Sequence, residues 1–267
     1  KGLRTGIVNT DDDSANLFSS DVLRAVGYGT KSGHIRATDI ELTPAGSTYT
    51  AKTDDNEYKI TCNLPGSFNV SNSLAAVAVG LTVGLSKEQI EKGIAALEGV
   101  EGRMTIIDEG QDFDVIVDYA HTPDSFEKLF KDLKPVVKGR LICVFGSAGR
   151  RDEGKRVVQG KLAGEYCDEV IITEEDDRDL DGMEIMNQIA EGAEAGGKVR
   201  ERDLFLVHDR TEAIQSAINR AKTGDTVLLL GKGHEKDILR NGPKAAELRH
   251  LPQDDHDPER VIEYPWD

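Results

Sequence analysis

Between residues 114 and 230 five short apolar runs recur, each leading into a polar turn and then a stretch with helical spacing, and this rhythm constrains the fold more than any other feature. The runs are DVIVDYA, GRLICVFG, CDEVIITEE, DLFLVHD and DTVLLLGKG, and they read as buried strands. Helical segments near 124–134, 152–166, 182–194 and 209–222 separate them. Such alternation predicts a doubly wound, mostly parallel α/β sheet, whose ligands bind beyond the carboxyl ends of the strands. The polar motifs stand at those ends: DYAHTPD after the first run, GSAGRRDEGKR after the second, EEDDRD after the third and GKGHE after the fifth. Four such motifs on one rim point to a site.

The first 60 or so residues have a different character. TGIVNT, SGHIRATDIEL, STYTAKT and EYKITCNL carry period-two or β-branched patterns, so this part is strand-rich. An apolar helix is expected over Asn72 to Leu85, and a second over Ser86 to Leu97 with a Ser cap and Glu88 in its first turn. GVEGR reads as a linker, which divides the chain into domains 1–100 and 101–267. HLPQDDHDPER near the end reads as a loop followed by a short frayed tail.

Composition excludes several classes. A net charge of −16 opposes binding to a phosphate backbone, and the acidity is expected to be a solvated surface. No apolar run approaches the roughly 20 residues of a membrane span, and no secretory signal is visible, so a cytoplasmic protein without membrane partners is expected. Cys62, Cys143 and Cys167 are too scattered for a zinc site and read as reduced core residues. The sequence begins at Lys1 instead of Met, which suggests a fragment or a processed form.

The motifs carry specific chemistry. FGSAGRRDEGKR couples a strand end and helix start to Arg150, Arg151 and Lys155, a setting that favours an anion, although it lacks the spacing of a standard nucleotide loop. In GKGHE a tight turn explains Gly231 but not the set Lys232, His234 and Glu235, of which Glu235 suits an ammonium group. VDYAHTPD places Asp118, His121 and Asp124 near one strand end; a carboxylate there suits a ribose hydroxyl or a metal-bound water. EEDDRD, from Glu174 to Asp179, is either a solvated loop or a zwitterion receptor in which Arg178 pairs a carboxylate and its acidic neighbours hold an ammonium. Asn69 and Asn72 stand three apart, and a helix cap accounts for only one of them.

Taken in order, IVNTDDD, LPGSFNVSNSLAAVAVGLTVGLS, GVEGRM, VIVDYAHTPDSFEKLF, GRLICVFGSAGRRDEGKR, DRTEAI and GDTVLLLGKGHE resemble the Mur ligases, and most closely the branch that adds the third, diamino residue of a cell-wall precursor peptide. The resemblance implies the remainder of a central ATPase domain followed by a Rossmann-like C-terminal ligase domain. It implies ATP and Mg²⁺ as cofactors, with Asn69, Asn72, Arg103, Asp118 and His121 around the nucleotide, which would lie between two domains able to close. It implies that Arg151, Glu175, Asp176, Arg178, Gly231 and Glu235 bind the amino acid. The partners would be UDP-MurNAc-dipeptide, a diamino acid and ATP, the protein a monomer, and the reaction amide formation through an acyl phosphate, in peptidoglycan synthesis.

This sequence departs from the family's common D-N-P-R motif, since Glu175, Asp176 and Asp177 precede Arg178. Arg178 favours meso-diaminopimelate, with its distal carboxylate, whereas the extra acids favour the plain distal ammonium of lysine or ornithine. The resemblance also puts the P-loop, the Mg²⁺ ligands, the catalytic glutamate, the modified lysine and the UDP-sugar domain upstream of Lys1. No catalytic residue or metal ligand is therefore assigned within the chain, which is expected not to ligate alone. Two alternatives stay open: a non-catalytic module of the same fold, and a ligase of the folylpolyglutamate or cyanophycin synthetase type.

Overall fold

The computed structural model describes residues 4–43 and 45–265. The chain separates into two compact units, Lys1–Val100 and Glu101–Asp267, each described by itself below. Lys1, on which the expectation of a fragment turned, lies outside the described residues.

In the first unit β1 (Thr5–Asn9), β2 (Arg24–Gly29), β3 (Ile35–Thr43), β4 (Gly46–Lys52) and β5 (Glu57–Cys62) form one sheet in that order. The pairs β1–β2 and β2–β3 are parallel, whereas β3–β4 and β4–β5 are antiparallel. Strand β5 shows why so polar a segment is a strand: EYKITC alternates outward and inward, burying Tyr58, Ile60 and Cys62. A short helix, α1 (Ala15–Ser20), follows β1, and α2 (Phe68–Thr82) and α3 (Lys87–Ala95) complete the unit. Val70, Leu74, Val77 and Ala78 of α2 meet Ile35, Tyr49, Ala51 and Ile60 of the sheet, and Ile90 of α3 joins them. Each large side chain buried there contributes about 1.5–3 kcal/mol.

Helix α3 starts at its sequence signal. The Ser86 hydroxyl accepts the Gln89 N–H and the Gln89 side chain accepts the Ser86 N–H, a complete capping box. Helix α2 instead begins at Phe68, a turn earlier than expected, and neither Asn69 nor Asn72 caps it. Ser67, at the cap position, is itself helical and makes no side-chain cap bond. Burial of Val70 in the core extends the helix upstream.

The second unit holds the doubly wound sheet. Strands β6 (Thr105–Ile107), β7 (Asp114–Asp118), β8 (Leu141–Phe145), β9 (Glu169–Ile172), β10 (Leu204–Leu206) and β11 (Thr226–Leu230) lie in the order β10-β9-β8-β11-β7-β6. All pairs are parallel except β6–β7. Helices α4 (Pro123–Leu133), α5 (Gly154–Tyr166), α6 (Gly182–Ala195) and α7 (Arg210–Arg220) are the crossovers. Both faces are covered: Leu141, Cys143 and Phe145 pack in the cluster that holds α4, α5 and α6, while Ile142 and Val144 pack with Ala213 and Ala217 of α7. A strand buried on both sides must be apolar at every position, hence LICVF.

The crossover helices carry their own start signals. Thr122 and Ser125 form a capping box with Pro123 in the first turn of α4, and Phe126, Leu129, Phe130 and Leu133 follow on its buried stripe. Asp181 caps α6 and Asp209 caps α7. Helices α5 and α6 cross so closely that backbone meets backbone: a Cβ at Gly160 would collide with the Ile189 carbonyl, and one at Gly192 with that of Val157.

Where a frayed tail was expected, residues 261–265 form a strand. β12 (Asp237–Asn241) and β13 (Val261–Pro265) pair antiparallel, and α8 (Ala245–Leu248) lies in the connection between them. Among the described residues no helix is long and apolar enough to cross a membrane. The helix contact gives a stability test. Gly160→Ala should cost about 1–3 kcal/mol through overpacking, whereas Gly93→Ala in α3, where nothing lies within 4 Å of the new Cβ, should stabilise by about 0.5–1 kcal/mol. Denaturant unfolding of both variants checks the pair, and equal effects would contradict the crossing geometry.

Candidate functional site

The acidic loop after β9 is not solvated. Glu174, Glu175, Asp177, Arg178 and Asp179 are all buried. A buried carboxylate needs a partner, and the partners come from far along the chain. Both Glu174 oxygens accept from the Arg240 guanidinium. Asp176 Oδ1 accepts from Lys232 Nζ at 2.6 Å and from the Leu239 N–H at 3.0 Å. Asp177 Oδ2 lies 2.9 Å from His208 Nε2. Asp179 receives Arg150 through two bonds of 2.9 Å and Arg260 Nε at 2.5 Å. Burial alone would raise the Asp179 carboxyl, but the two guanidiniums hold its pKa below the ordinary value.

Two carboxylates, Glu175 of this loop and Glu235 after β11, lie together. Glu175 Oε2 is buried and has no hydrogen-bond partner. It lies against Gly231, where a Cβ would come within 2.7 Å of it, so the backbone at φ +90° passes close only because no side chain intervenes. Glu235 stands at the same strand exit as Gly231. Burial pushes its carboxyl up, but the Gly233 N–H and the charges of Lys232 and His234 more than offset this, so it is held below its ordinary pKa and ionised at neutral pH.

At the exit of β7 the groups are aromatic and cationic. The Arg103 guanidinium sits 4.5 Å from the Tyr119 ring centroid, His121 meets the same ring edge-on at 4.8 Å, and His234 approaches it at 5.7 Å. Lys155 Nζ donates to the His121 carbonyl at 3.0 Å. Burial, then the Glu235 and Glu175 charges, push the Tyr119 phenol up. Asp118 has an internal role: it accepts the Met104 N–H at 2.9 Å and the Ala120 N–H at 2.8 Å, and burial raises its pKa. Asp124 is turned to the surface, paired with Lys128.

The four motifs after β7, β8, β9 and β11 therefore meet on one rim: Gly149 N–H bonds the Asp176 carbonyl, Lys155 reaches His121, and Lys232 reaches Asp176. Arg103, Asp118, His121, Glu175, Asp176, Arg178, Gly231 and Glu235 all belong to it. Arg151, more exposed, bonds Gln253 Oε1 at 3.1 Å. Asn69 and Asn72 lie in the first unit, where Asn72 Nδ2 donates to Asn69 Oδ1 at 2.9 Å and Asn69 Nδ2 to the Pro65 carbonyl at 2.8 Å. Asn72 also lines a mostly apolar cavity of about 340 Å³ with Cys62, Ser73 and Ile90.

Residues 102–233 match the model of the Mur ligase glutamate ligase domain, and residues 1–80 match that of the Mur ligase middle domain. The chain belongs to the Mur ligase family. A UDP-N-acetylmuramyl-tripeptide synthetase of Roseiflexus is 42% identical over 243 residues, which is 90% of this chain and 48% of that protein. A UDP-N-acetylmuramoyl-L-alanyl-D-glutamate–2,6-diaminopimelate ligase of Syntrophomonas wolfei is 38% identical, over 86% of this chain and 47% of its own length. A solved structure of a ligase of that second name superposes with a TM-score of 0.51 at 29% identity, covering 88% of this chain and 49% of the other. The chain spans about half the length of the curated relatives it matches.

Within this Mur ligase domain the sequence pattern did not reveal the cations that satisfy the acidic loop, nor Tyr119, on whose ring Arg103 and His121 converge. Arg240 in β12 and Arg260 just before β13 lie 66 and 81 residues from their partners, too far for any local pattern to announce them. His208 was equally unmarked. Its hydrogen bond to Asp177 raises its pKa above the ordinary imidazole value, against the opposing effect of burial, and burial raises that of Asp177. Since folding raises the His208 pKa, the pair stabilises fully below the unfolded value of about 6.5 and fades as pH rises through the folded one. An NMR titration should find the His208 midpoint above 6.5 and lower in Asp177→Asn; an unchanged midpoint would remove the pair as its cause.

Proposed function

We propose that this chain is part of an ATP-dependent ligase that joins a diamino acid, meso-diaminopimelate or L-lysine, to UDP-MurNAc-L-Ala-D-Glu through an acyl phosphate, in the cytoplasm, as a step of peptidoglycan synthesis. The names of its relatives support the reaction class. The observation that carries the reading to this chain is the pair of carboxylates at the exit of β11. Glu175 keeps a buried oxygen without a partner beside Gly231, and Glu235 is held ionised. A buried acceptor left open costs stability unless a donor completes it, and an ammonium group is a charged donor of that kind, beside the buried Arg210 guanidinium that already faces Glu175.

In this reading Glu175 and Glu235 receive an ammonium of the amino acid, with Asp176, Arg178, Arg151 and Gly231 shaping the same site. Arg103 and His121 approach the nucleotide, the cationic and aromatic surface around Tyr119 suiting phosphate and base, while Asp118, expected there too, holds the Met104 and Ala120 backbone beneath them. Asn69 and Asn72 are assigned to adenine, and the apolar cavity beside Asn72, lined by the first unit alone, is of a size for a heterocycle. The main catalytic burden in such a reaction is stabilising charge on the transferring phosphoryl group.

Mg²⁺ is implied by the resemblance, and one group among the described residues, Glu174, Asp177 and His208, brings three ligand atoms within 4.8 Å of one another. It does not fit the ion. The Arg240 guanidinium already engages both Glu174 oxygens and supplies the positive charge there. No step is assigned to a metal held by this chain.

The test is ATP-dependent addition of radiolabelled diamino acid by the enzyme that contains this whole chain. Glu235→Gln should raise the KM for the amino acid about tenfold or more, as expected for a lost bond to a charged group, and leave the KM for ATP within about twofold. Equal rises in both would take Glu235 out of the amino-acid site.

A further inference from the structure

The connection between β12 and β13 does not hang free. Arg150 donates to the Arg249 carbonyl, Arg249 Nε to the Asp179 carbonyl at 2.9 Å, and Arg260 to Asp179 and to the carbonyls of Leu251 and Pro252. These bonds bring residues 253–255 onto the rim. There Asp255 places both carboxylate oxygens 3.1 Å from Arg178 Nε. Gln253 accepts from Arg151 Nη1 at 3.1 Å and donates to Asp255 at 2.9 and 3.0 Å. The remaining Arg178 bonds go to the Gly149 and Asp176 carbonyls, and its Nη2 also lies 3.9 Å from Asp176 Oδ2. Thus the two arginines assigned above to the amino-acid site are each engaged by a side chain of one loop, and the group on Arg178 is a carboxylate.

We propose that Asp255 is a specificity-determining residue: it supplies the carboxylate at Arg178 from within the chain and so reserves the site for diamino acids whose distal carbon bears an ammonium and no carboxylate. The inference rests on the assignment of Arg178 and Glu235 to the amino-acid site. Arg178 is buried, where a poorly matched guanidinium would be costly, and Asp255 at 3.1 Å is its nearest counter-charge, with Asp176 at 3.9 Å, so the cost is met without a ligand. A substrate carboxylate competing for Arg178 must displace a group tethered to the same fold, present at an effective concentration on the order of millimolar or above. It would also meet the displaced negative charge of Asp255 beside those of Asp176 and Glu175. An ammonium meets the reverse: Glu175 Oε2 lacks a donor and Glu235 is ionised. Arg178 then neutralises the loop instead of recognising the substrate, and the extra acids of the sequence select the amine.

The experiment compares kcat/KM for L-lysine and meso-diaminopimelate in the enzyme containing the whole chain, its Asp255→Asn and Asp255→Ala variants, and each combined with Arg178→Ala. Wild type should favour lysine. Both Asp255 variants should move the ratio toward diaminopimelate by about tenfold or more, the worth of a carboxylate–guanidinium pair. The shift should vanish when Arg178 is also replaced, because the released guanidinium is what receives the second carboxylate. A wild-type preference for diaminopimelate, or a ratio within about twofold of wild type in both Asp255 variants, overturns the proposal. If Glu235→Gln meanwhile still raises the KM for the amino acid, the assignment of the site stands and only the role of Asp255 falls. If neither position affects amino-acid kinetics, that assignment falls first.

Discussion

Asp179 is the fixed point of the second unit. A carboxylate with 1% of its side chain exposed sits between the guanidiniums of Arg150 and Arg260, one from the exit of β8 and one from the end of the C-terminal connection. Taking three charges out of water is unfavourable unless each is met by hydrogen bonds. Here the met groups are the two ends of the rim, so satisfying the charge and closing the structure are one event. Removing the carboxylate would leave a buried Arg260 without its counter-charge, a loss on the order of 3–5 kcal/mol.

From this point the rest of the rim is built. Arg150 and Arg178 both hold positive φ, 58° and 55°, which non-glycine residues seldom adopt and which persists only where the surroundings determine it. Beside them Arg178 bonds Gly149 and Asp255, Lys232 bonds Asp176, and Arg240 bonds Glu174. Glu175 and Glu235 are matched less completely: Glu175 faces the buried Arg210 but keeps one oxygen without a hydrogen-bond partner, and Glu235 accepts the Gly233 N–H. Most of the charge on this rim is thus engaged within the chain itself.

Much of this fold was legible in the sequence because its causes are local. Strands β8 and β11 are apolar throughout because both faces are covered, and capping residues announce α3 and α4 at their first turns. Where causes are non-local, the pattern misled. The run from Glu174 to Asp179 has the composition of a solvated loop, and only cations 29 to 81 residues away make it an interior. Strand β12 holds Arg240, one of those cations, whereas β13, VIEYP, carries β-branched and aromatic residues whose strand signal the reading of a tail overlooked. Helix α2 starts where Val70 meets a core assembled from the sheet, which no local cap encodes. The rim position of the site motifs followed from strand polarity, but their partners, Tyr119 and Asp255 among them, did not.

Hydrogen–deuterium exchange on wild type and Asp179→Asn tests most directly whether one buried carboxylate holds the rim together. The account predicts that amides of β12, β13 and their connection lose protection in the variant by about a hundredfold or more, the factor that 3 kcal/mol represents, while β8 and β11 keep theirs. Unchanged protection in the hairpin, or an equal loss across the sheet, would contradict it.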